Sequence, residues 1–310
     1  MGGPRSQEAR EQGREEEKQI IPHLKRILRD KRYTKHFNQD CFEVIDTAEK
    51  AYVLGLLFAD ANIDFKSNRI SLDLHEKDVE LLDYVAEVLE YKDVYNKHQQ
   101  QLLDGSLSTY LKLSFSSSEV KNDLIRLGCT PRKSRTLKFP TEEQVPHKFI
   151  NSFILGYFDG DGHVSNTNGG GQIMIAGTED MCKGILRATH FLNLENPYYK
   201  LHNNASIFVF HLSRQKDTVK FLDWCYTDAK YFLHRKYDRY LKIKMRISVS
   251  DINNELRKQV HVDMQERLDA GQSITSLASN FNMSYSGIYK AIKCGHLKHP
   301  TLPKKQILQS

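Results

Sequence analysis

Nowhere in the sequence do eighteen apolar residues follow one another, and the charged start lacks the pattern of a leader peptide, so neither export nor a membrane span is expected. Cysteine is scarce and odd in number. Cys41, Cys129, Cys182, Cys225 and Cys294 contain no CxxC pair, which argues against a disulfide framework and for reduced thiols in an intracellular protein, with an organelle left open. Cys294, His296 and His299 stand close together, yet no second ligand pair accompanies them, and an unliganded tail is the better reading. Acidic residues are outnumbered: 45 Lys and Arg face 39 Asp and Glu, a net charge of +6 that suits a polyanionic partner without requiring one. What remains is 39% hydrophobic over 310 residues, enough for one large or two modest cores.

Two stretches organise the chain. Phe153–Val164 reads FILGYFDGDGHV, and Tyr52–Ile63 reads YVLGLLFADANI, a weaker echo 101 residues earlier. Each is an all-round apolar helix ending in a carboxylate, and such a helix is buried. Gly55 and Ala59 in one copy, Gly156 and Gly160 in the other, lie four apart on one helical face, where small residues let a second backbone come close. The two helices are therefore expected to pack on each other. Asp60 and Asp161 would then meet at the helix C-termini, where like charge and the helix dipole both oppose them. One reading offsets that repulsion with bound Mg²⁺, which takes oxygen ligands shared with phosphate. The plainer one is a symmetric buried helix pair with capping aspartates.

The surroundings of the two stretches repeat. Asp46 and Glu49 form a capping-box spacing before the first helix, and Pro146 precedes the second. After Asp60 the pattern predicts a strand at Arg69–His75, a helix near residues 78–90, a strand at Tyr110–Ser116 and a helix near 119–127. After Asp161 the same order returns at 172–176, 179–192, 207–212 and 217–226. The fold class is α+β, a pseudo-two-fold repeat of α-β-β-α-β-β-α units. Residues 96–106 and 167–171 read as polar hairpin excursions. Period-2 alternation turns Ile70, Leu72, Leu74, Leu111, Leu113 and Phe115 inward. Arg69, Ser71, Asp73 and His75, with Tyr110, Lys112 and Ser114, then face outward, and the second copy contributes Gln172 and His211. A polar outer face is ordinary for such a sheet, but beside paired carboxylates it is a candidate DNA-binding saddle.

VLGLLFADA and ILGYFDGDG resemble the two signatures of the LAGLIDADG homing endonuclease family, over roughly residues 38–245. The first copy departs from the pattern at Phe58 and Ala61. The resemblance implies that Asp60 and Asp161 bind the catalytic metal, with Ala61 and Gly162 beside them at the metal site. It also implies a catalytic basic residue near each centre, carried onto Lys133 and Lys236, 103 residues apart; a contact to the phosphate backbone is the alternative for both. The cofactor implied is Mg²⁺, with Mn²⁺ as a substitute. The partner is double-stranded DNA with a long target site, cut across the minor groove to leave short 3′ overhangs, with no small-molecule substrate.

The expected organisation is a charged segment at 1–37, two LAGLIDADG halves at 38–140 and 141–247, and a small all-α module at 256–298. The first segment reads as a solvated charged face leading into an amphipathic helix; its MGGPRS start matches a myristoylation pattern of the kind that arises by chance. The last module has helix-turn-helix spacing with Asn282 at the turn, and would offer Tyr285, Ser286, Tyr289, Lys290 and Lys293 to a groove. Met1 and the Gln309–Ser310 end show no splicing residues, so a free-standing, monomeric, intron-encoded or otherwise mobile endonuclease is expected. Two other classes stay open: a DNA-binding regulator without catalysis, which a metal-dependent nicking assay would separate, and an RNA maturase assisting intron splicing, which binding to the host intron would reveal.

Overall fold

The computed structural model describes residues 37–92, 95–102, 104–167, 170–202 and 207–298. Residues 1–36, with the myristoylation match, and His299 lie outside them. The chain divides into two compact units, residues 1–240 and 241–310.

The first unit begins with helix α1, Ala48–Asp60, whose N-cap is Thr47: its hydroxyl accepts from the Lys50 amide at 3.2 Å. The capping box expected from Asp46 and Glu49 is therefore displaced by one residue, and Asp46 instead pairs with the Lys50 ammonium at 2.8 Å. Then follow β1 (Asn62–Ile63), β2 (Arg69–His75), α2 (Val79–Leu89), β3 (Asn96–Gln101), β4 (Leu107–Ser116) and α3 (Ser118–Arg126). The second copy is α4 (Ile150–Asp161), β5 (Gly162–Thr167), β6 (Gly170–Gly177), α5 (Glu179–Ala188), β7 (Tyr198–Leu201), β8 (Phe208–Leu212) and α6 (Gln215–Cys225). Both copies are α-β-β-α-β-β-α. Their antiparallel sheets have matching orders, β1-β2-β4-β3 and β5-β6-β8-β7. Residues 96–101, read as a loop, form an edge strand paired with β4 from Asn96↔Lys112 to Gln101↔Leu107. Pro146 caps a short 3₁₀ turn at His147–Phe149 before α4 begins.

Alternation works as it should on the inner face. Ile70, Leu72, Leu113 and Phe115 are buried, as are Ile173, Ile175, Phe210 and Leu212. The outer face departs from the expectation at Ser71, which is buried between its strand partners Asn62 and Ser114.

Helices α1 and α4 meet through their glycines. A Cβ on Gly55 would collide with the Phe153 carbonyl and lie 2.8 Å from the Tyr157 nitrogen; one on Gly156 would collide with the Tyr52 carbonyl and lie 3.0 Å from the Leu56 nitrogen. Backbone touches backbone at both positions, so glycine is required for close approach, not for conformational freedom. Phe58 and Phe153 seal the seam edge-to-face, 5.0 Å between centroids.

The halves also exchange segments. The stretch after α3 reaches the second half, where the Thr178 hydroxyl donates to the Leu137 carbonyl at 2.5 Å and the Phe139 amide donates to Asp180 at 2.8 Å. The stretch after α6 returns the contact: Lys230 pairs with Glu87 at 2.7 Å, Arg235 grips Asp78 through two bonds of 2.6 and 2.8 Å, and the Tyr84 hydroxyl donates to the Phe232 carbonyl. Tyr84 and Tyr231 stack 4.5 Å apart.

Helix α7, His234–Asp269, runs unbroken through residue 246, where the sequence changes character; the change marks a stretch, 251–260, that is solvent-exposed at every position. In the second unit, α8 (Ile274–Asn280) and α9 (Tyr285–Lys293) pack with Met264 and Leu268 around Leu277, Ile288, Ala291 and Leu297. Asn282, between α8 and α9, has φ +49°, the left-handed conformation that asparagine tolerates.

If the glycine seam sets the distance between the halves, Gly156→Val must force them apart. Thermal unfolding should show a loss of about 1–3 kcal/mol or more from overpacking. A melting curve like that of the unaltered protein would mean that α1 and α4 do not approach through this face.

Candidate active site

Each signature helix delivers its last carboxylate to one end of the seam. A Cβ on Gly160 would collide with the Ala59 methyl and lie 2.7 Å from Asp60 Oδ2, so glycine at this position makes room for the end of the opposite helix and its carboxylate. The Tyr157 hydroxyl donates to the Ala176 carbonyl at 3.0 Å and lies close enough to Asp161 that its single proton is drawn to either acceptor. Burial pushes the Asp60 carboxyl up to about 6, and repulsion from Asp161 adds to it, while Lys133 and Lys236 oppose both. Asp161 is raised too, chiefly by desolvation, against the pull of Lys133, Tyr157 and Lys236. Solvent does reach the site: Asp60 is half-buried and Asp161 exposed, so protein atoms crowd the carboxylates on some sides and leave others open.

Lys133 and Lys236 are only 8% and 2% exposed. Lys133 Nζ donates to the carbonyls of Ala61, at 2.5 Å, and Ala59, at 3.3 Å. Lys236 Nζ donates to Phe158 and Asp159, at 2.6 and 2.9 Å. Each lysine thus donates to carbonyls at the end of its own signature helix, one of which, Phe158, also accepts from the Gly162 amide, and places positive charge where the helix dipole is negative. Desolvation lowers Lys236 to about 8, with Asp159 the main influence the other way.

Asp159 is a site residue that the sequence pattern did not single out. It is 2% exposed and accepts from the Tyr52 hydroxyl of α1 and from the Leu233 amide, both at 2.8 Å. Burial pushes it up to about 6. The signal was present in the mismatch between the copies, since Phe58 stands in its place in the first. Phe58 packs against Phe153, so one half fills this position with apolar surface and the other with a tie between the halves.

The outer-face residues are brought together in local groups. On the first sheet, Arg69 Nε donates to Ser114 Oγ at 3.1 Å, and Asp73 lies 3.6 Å from both Lys112 and His98. Tyr110 sits between His75 and His98, with centroids 5.6 and 5.8 Å away. On the second sheet, His211 bonds Gln172 at 3.0 Å and also bonds Tyr198. His98 and Tyr198 were missed because the edge strands that carry them have no apolar alternation to announce them. In the second unit, α9 exposes Ser286, Lys290 and Lys293, and Tyr285 and Tyr289 stack 6.3 Å apart.

Two carboxylates with raised proton affinity, side by side at an open site, suit a divalent ion of the Mg²⁺ kind, which takes one or two protein carboxylates and completes its shell with water and phosphate oxygens. Asp60 and Asp161 supply the carboxylates; beside them the Ala61 carbonyl accepts from Lys133, and Gly162 stands opposite Ile175 in the sheet. Among the described residues no cluster of three or more His, Cys, Asp or Glu could hold a metal, and no helix is long and apolar enough to cross a membrane.

A repeated α-β-β-α-β-β-α unit whose two signature helices pair by glycine and end in aspartate defines the LAGLIDADG type of fold. Residues 148–204, containing the second signature, match the family model described as LAGLIDADG-like domain. No curated protein matches the chain. Among solved structures, the chain is similar to full-length DUF199/WhiA from Thermatoga maritima at 16% identity, over 83% of this chain and 94% of that one, TM-score 0.42. It is similar also to meganuclease I-SmaMI bound to uncleaveable DNA, at 12% identity over 66% and 92%, TM-score 0.43. A third is the I-LtrWI LAGLIDADG homing endonuclease bound to target DNA, at 11% identity over 65% and 91%, TM-score 0.41.

The raised Asp60 proton affinity has a consequence for stability. The folded chain binds this proton more tightly than the unfolded one, so ionising Asp60 costs stability as pH rises from about 3.8 to about 6, and the cost is complete above that window. Asp60→Asn should therefore raise the free energy of unfolding at pH 8, by up to about 3 kcal/mol, and change it little at pH 4. Destabilisation at pH 8 would contradict the assignment.

Proposed function

We propose that the chain is a site-specific, divalent-metal-dependent endonuclease of double-stranded DNA. The observation that carries this reading is the pair of desolvated carboxylates, Asp60 and Asp161, at one end of a pseudo-two-fold seam flanked by two sheets with polar side chains on their outer faces. Asp60 and Asp161 would hold the ions, which supply an activated water and stabilise the departing oxygen when bound. The pseudo-dyad gives one carboxylate to each half, and hence one reaction centre to each DNA strand. Lys133 and Lys236 hold the ends of the signature helices against their own carbonyls and lend positive potential to the centre. The outer faces, with Arg69, Lys112 and Tyr110 on one sheet and Gln172 and His211 on the other, lie along the duplex and read it through the major groove. Both halves belong to one chain, so a monomer suffices. In the second unit, Tyr285, Ser286, Tyr289, Lys290 and Lys293 add contacts on one side.

A second reading, a DNA-binding regulator without catalysis, is favoured by one observation: both lysine ammonium groups are engaged with backbone carbonyls and largely shielded from solvent. One assay separates the two. Incubated with Mg²⁺ and a randomised duplex library, the unaltered protein should cut both strands of a selected sequence, and Asp161→Asn should bind that sequence without cutting it. Selective binding without cleavage by the unaltered protein would favour the regulator.

Deletion of residues 256–310 tests the role of the second unit. The remaining protein should still cleave with Mg²⁺, bind more weakly, and protect a stretch of DNA shortened at one end only. An unchanged footprint would show that the unit makes no DNA contact.

A further inference from the structure

The outer face of the second sheet carries a row of three half-buried side chains that runs across its strands, Tyr198 on β7, His211 on β8 and Gln172 on β6. Tyr198 is the direct register partner of His211, and their rings meet edge-to-face at 4.9 Å. Gln172 is the diagonal neighbour, two residues from Met174, the partner of His211 on β6. His211 Nε2 lies 3.0 Å from Gln172 Oε1, and Nδ1 bonds the Tyr198 hydroxyl.

This arrangement has a direction. Gln172 Oε1 can only accept, so Nε2–H of His211 is the donor. A neutral imidazole then has Nδ1 as its acceptor, and the Tyr198 hydroxyl donates to it. Burial and the nearby Lys200 ammonium both keep the imidazole from taking a second proton. Lys200 lies 5.9 Å from the Tyr198 ring centroid and packs on the far end of the row. The relay ends at the Gln172 carboxamide. Its carbonyl is engaged by His211, and its amino group, with two N–H donors, is the end offered to a partner.

We infer that Gln172, oriented by His211 and Tyr198, is a specificity-determining residue that recognises guanine through the paired acceptors of its major-groove edge. The inference rests on the reading above that this sheet lies along DNA. A glutamine free to turn pairs with adenine, giving one hydrogen bond and taking one; guanine offers N7 and O6, both acceptors. With its oxygen committed to His211, Gln172 matches guanine better than adenine. Tyr198 is a positioning residue, acting on the base only through His211 and Gln172, and His211, itself on the DNA-facing side of the sheet, fixes which end of the Gln172 carboxamide is offered.

The test is a binding selection from a randomised duplex library with Ca²⁺ in place of Mg²⁺, read as base preference at every position. The unaltered protein should show one position in the half-site of the second sheet where guanine is preferred, by about tenfold or more. Gln172→Glu keeps the size and the acceptor facing His211 but replaces the offered amino group with an oxygen, so preference at that one position should move to cytosine, whose amino group donates. Tyr198→Phe removes only the hydroxyl and should flatten preference at the same position, with the other positions and the salt dependence of binding unchanged. A selective protein whose profile is the same in both variants overturns the inference. So does a profile altered evenly at all positions, which would mean a structural role. A protein that selects no sequence overturns the DNA reading itself.

Discussion

The distance between α1 and α4 is set by the absence of side chains at Gly55 and Gly156, where one backbone rests directly on the other. Everything at the centre inherits that distance. Helices this close bring their last residues together, and Gly160 leaves the space that the Asp60 carboxylate occupies. The exchanged segments after α3 and α6 fasten the halves from outside, with Phe139 and Thr178 on one side and Arg235, Asp78 and Lys230 on the other. A seam made of backbone contact is a shape constraint, and core packing does not deform gradually.

That geometry creates an electrostatic problem. Two helix C-termini converge, each presenting carbonyls at the negative end of its dipole, and each also carries a carboxylate. The lysines answer the first part by donating to Ala59, Ala61, Phe158 and Asp159, and their charge moderates both carboxylates. They do not remove the second part, since Asp60 remains raised to about 6. The carboxylates stay raised chiefly because they are desolvated, and the open side of the site is where the ion of the proposed reaction would sit. The halves solve the neighbouring position differently, with Phe58 in apolar packing and Asp159 as the tie to Tyr52 and Leu233, so the pseudo-symmetry is one of backbone more than of chemistry.

Much of this is legible in the sequence, for identifiable physical reasons. The signature helices announce themselves because apolar residues on every side demand burial, and small residues four apart demand a second backbone alongside. Strand β2 is bounded at Arg69–His75 because Ile70, Leu72 and Leu74 alternate with polar residues. The strand at 96–101 is not legible: all six residues are exposed, and what makes it a strand is backbone pairing to β4, which leaves no apolar trace. The helix is capped by Thr47 and not by Asp46, whose carboxylate pairs with the Lys50 ammonium, a difference of one residue that the spacing does not fix. Burial of Ser71 follows from its neighbours, and the engagement of Lys133 and Lys236 with carbonyls depends on tertiary placement that spacing cannot express. Asp159 is within reach of the sequence, since a carboxylate present in one copy and replaced by phenylalanine in the other marks where the halves differ.

The central claim is that Asp60 and Asp161 form a single electrostatic centre, and a double-mutant cycle on stability at pH 8 tests it most directly. Unfolding free energies of the unaltered protein, Asp60→Asn, Asp161→Asn and the double variant should show that each single change relieves the repulsion, and that the second adds less than the first. The shortfall should be about 0.5 kcal/mol or more, as for residues that interact. Strict additivity of the two changes would show that the carboxylates do not act on one another, and would contradict the account.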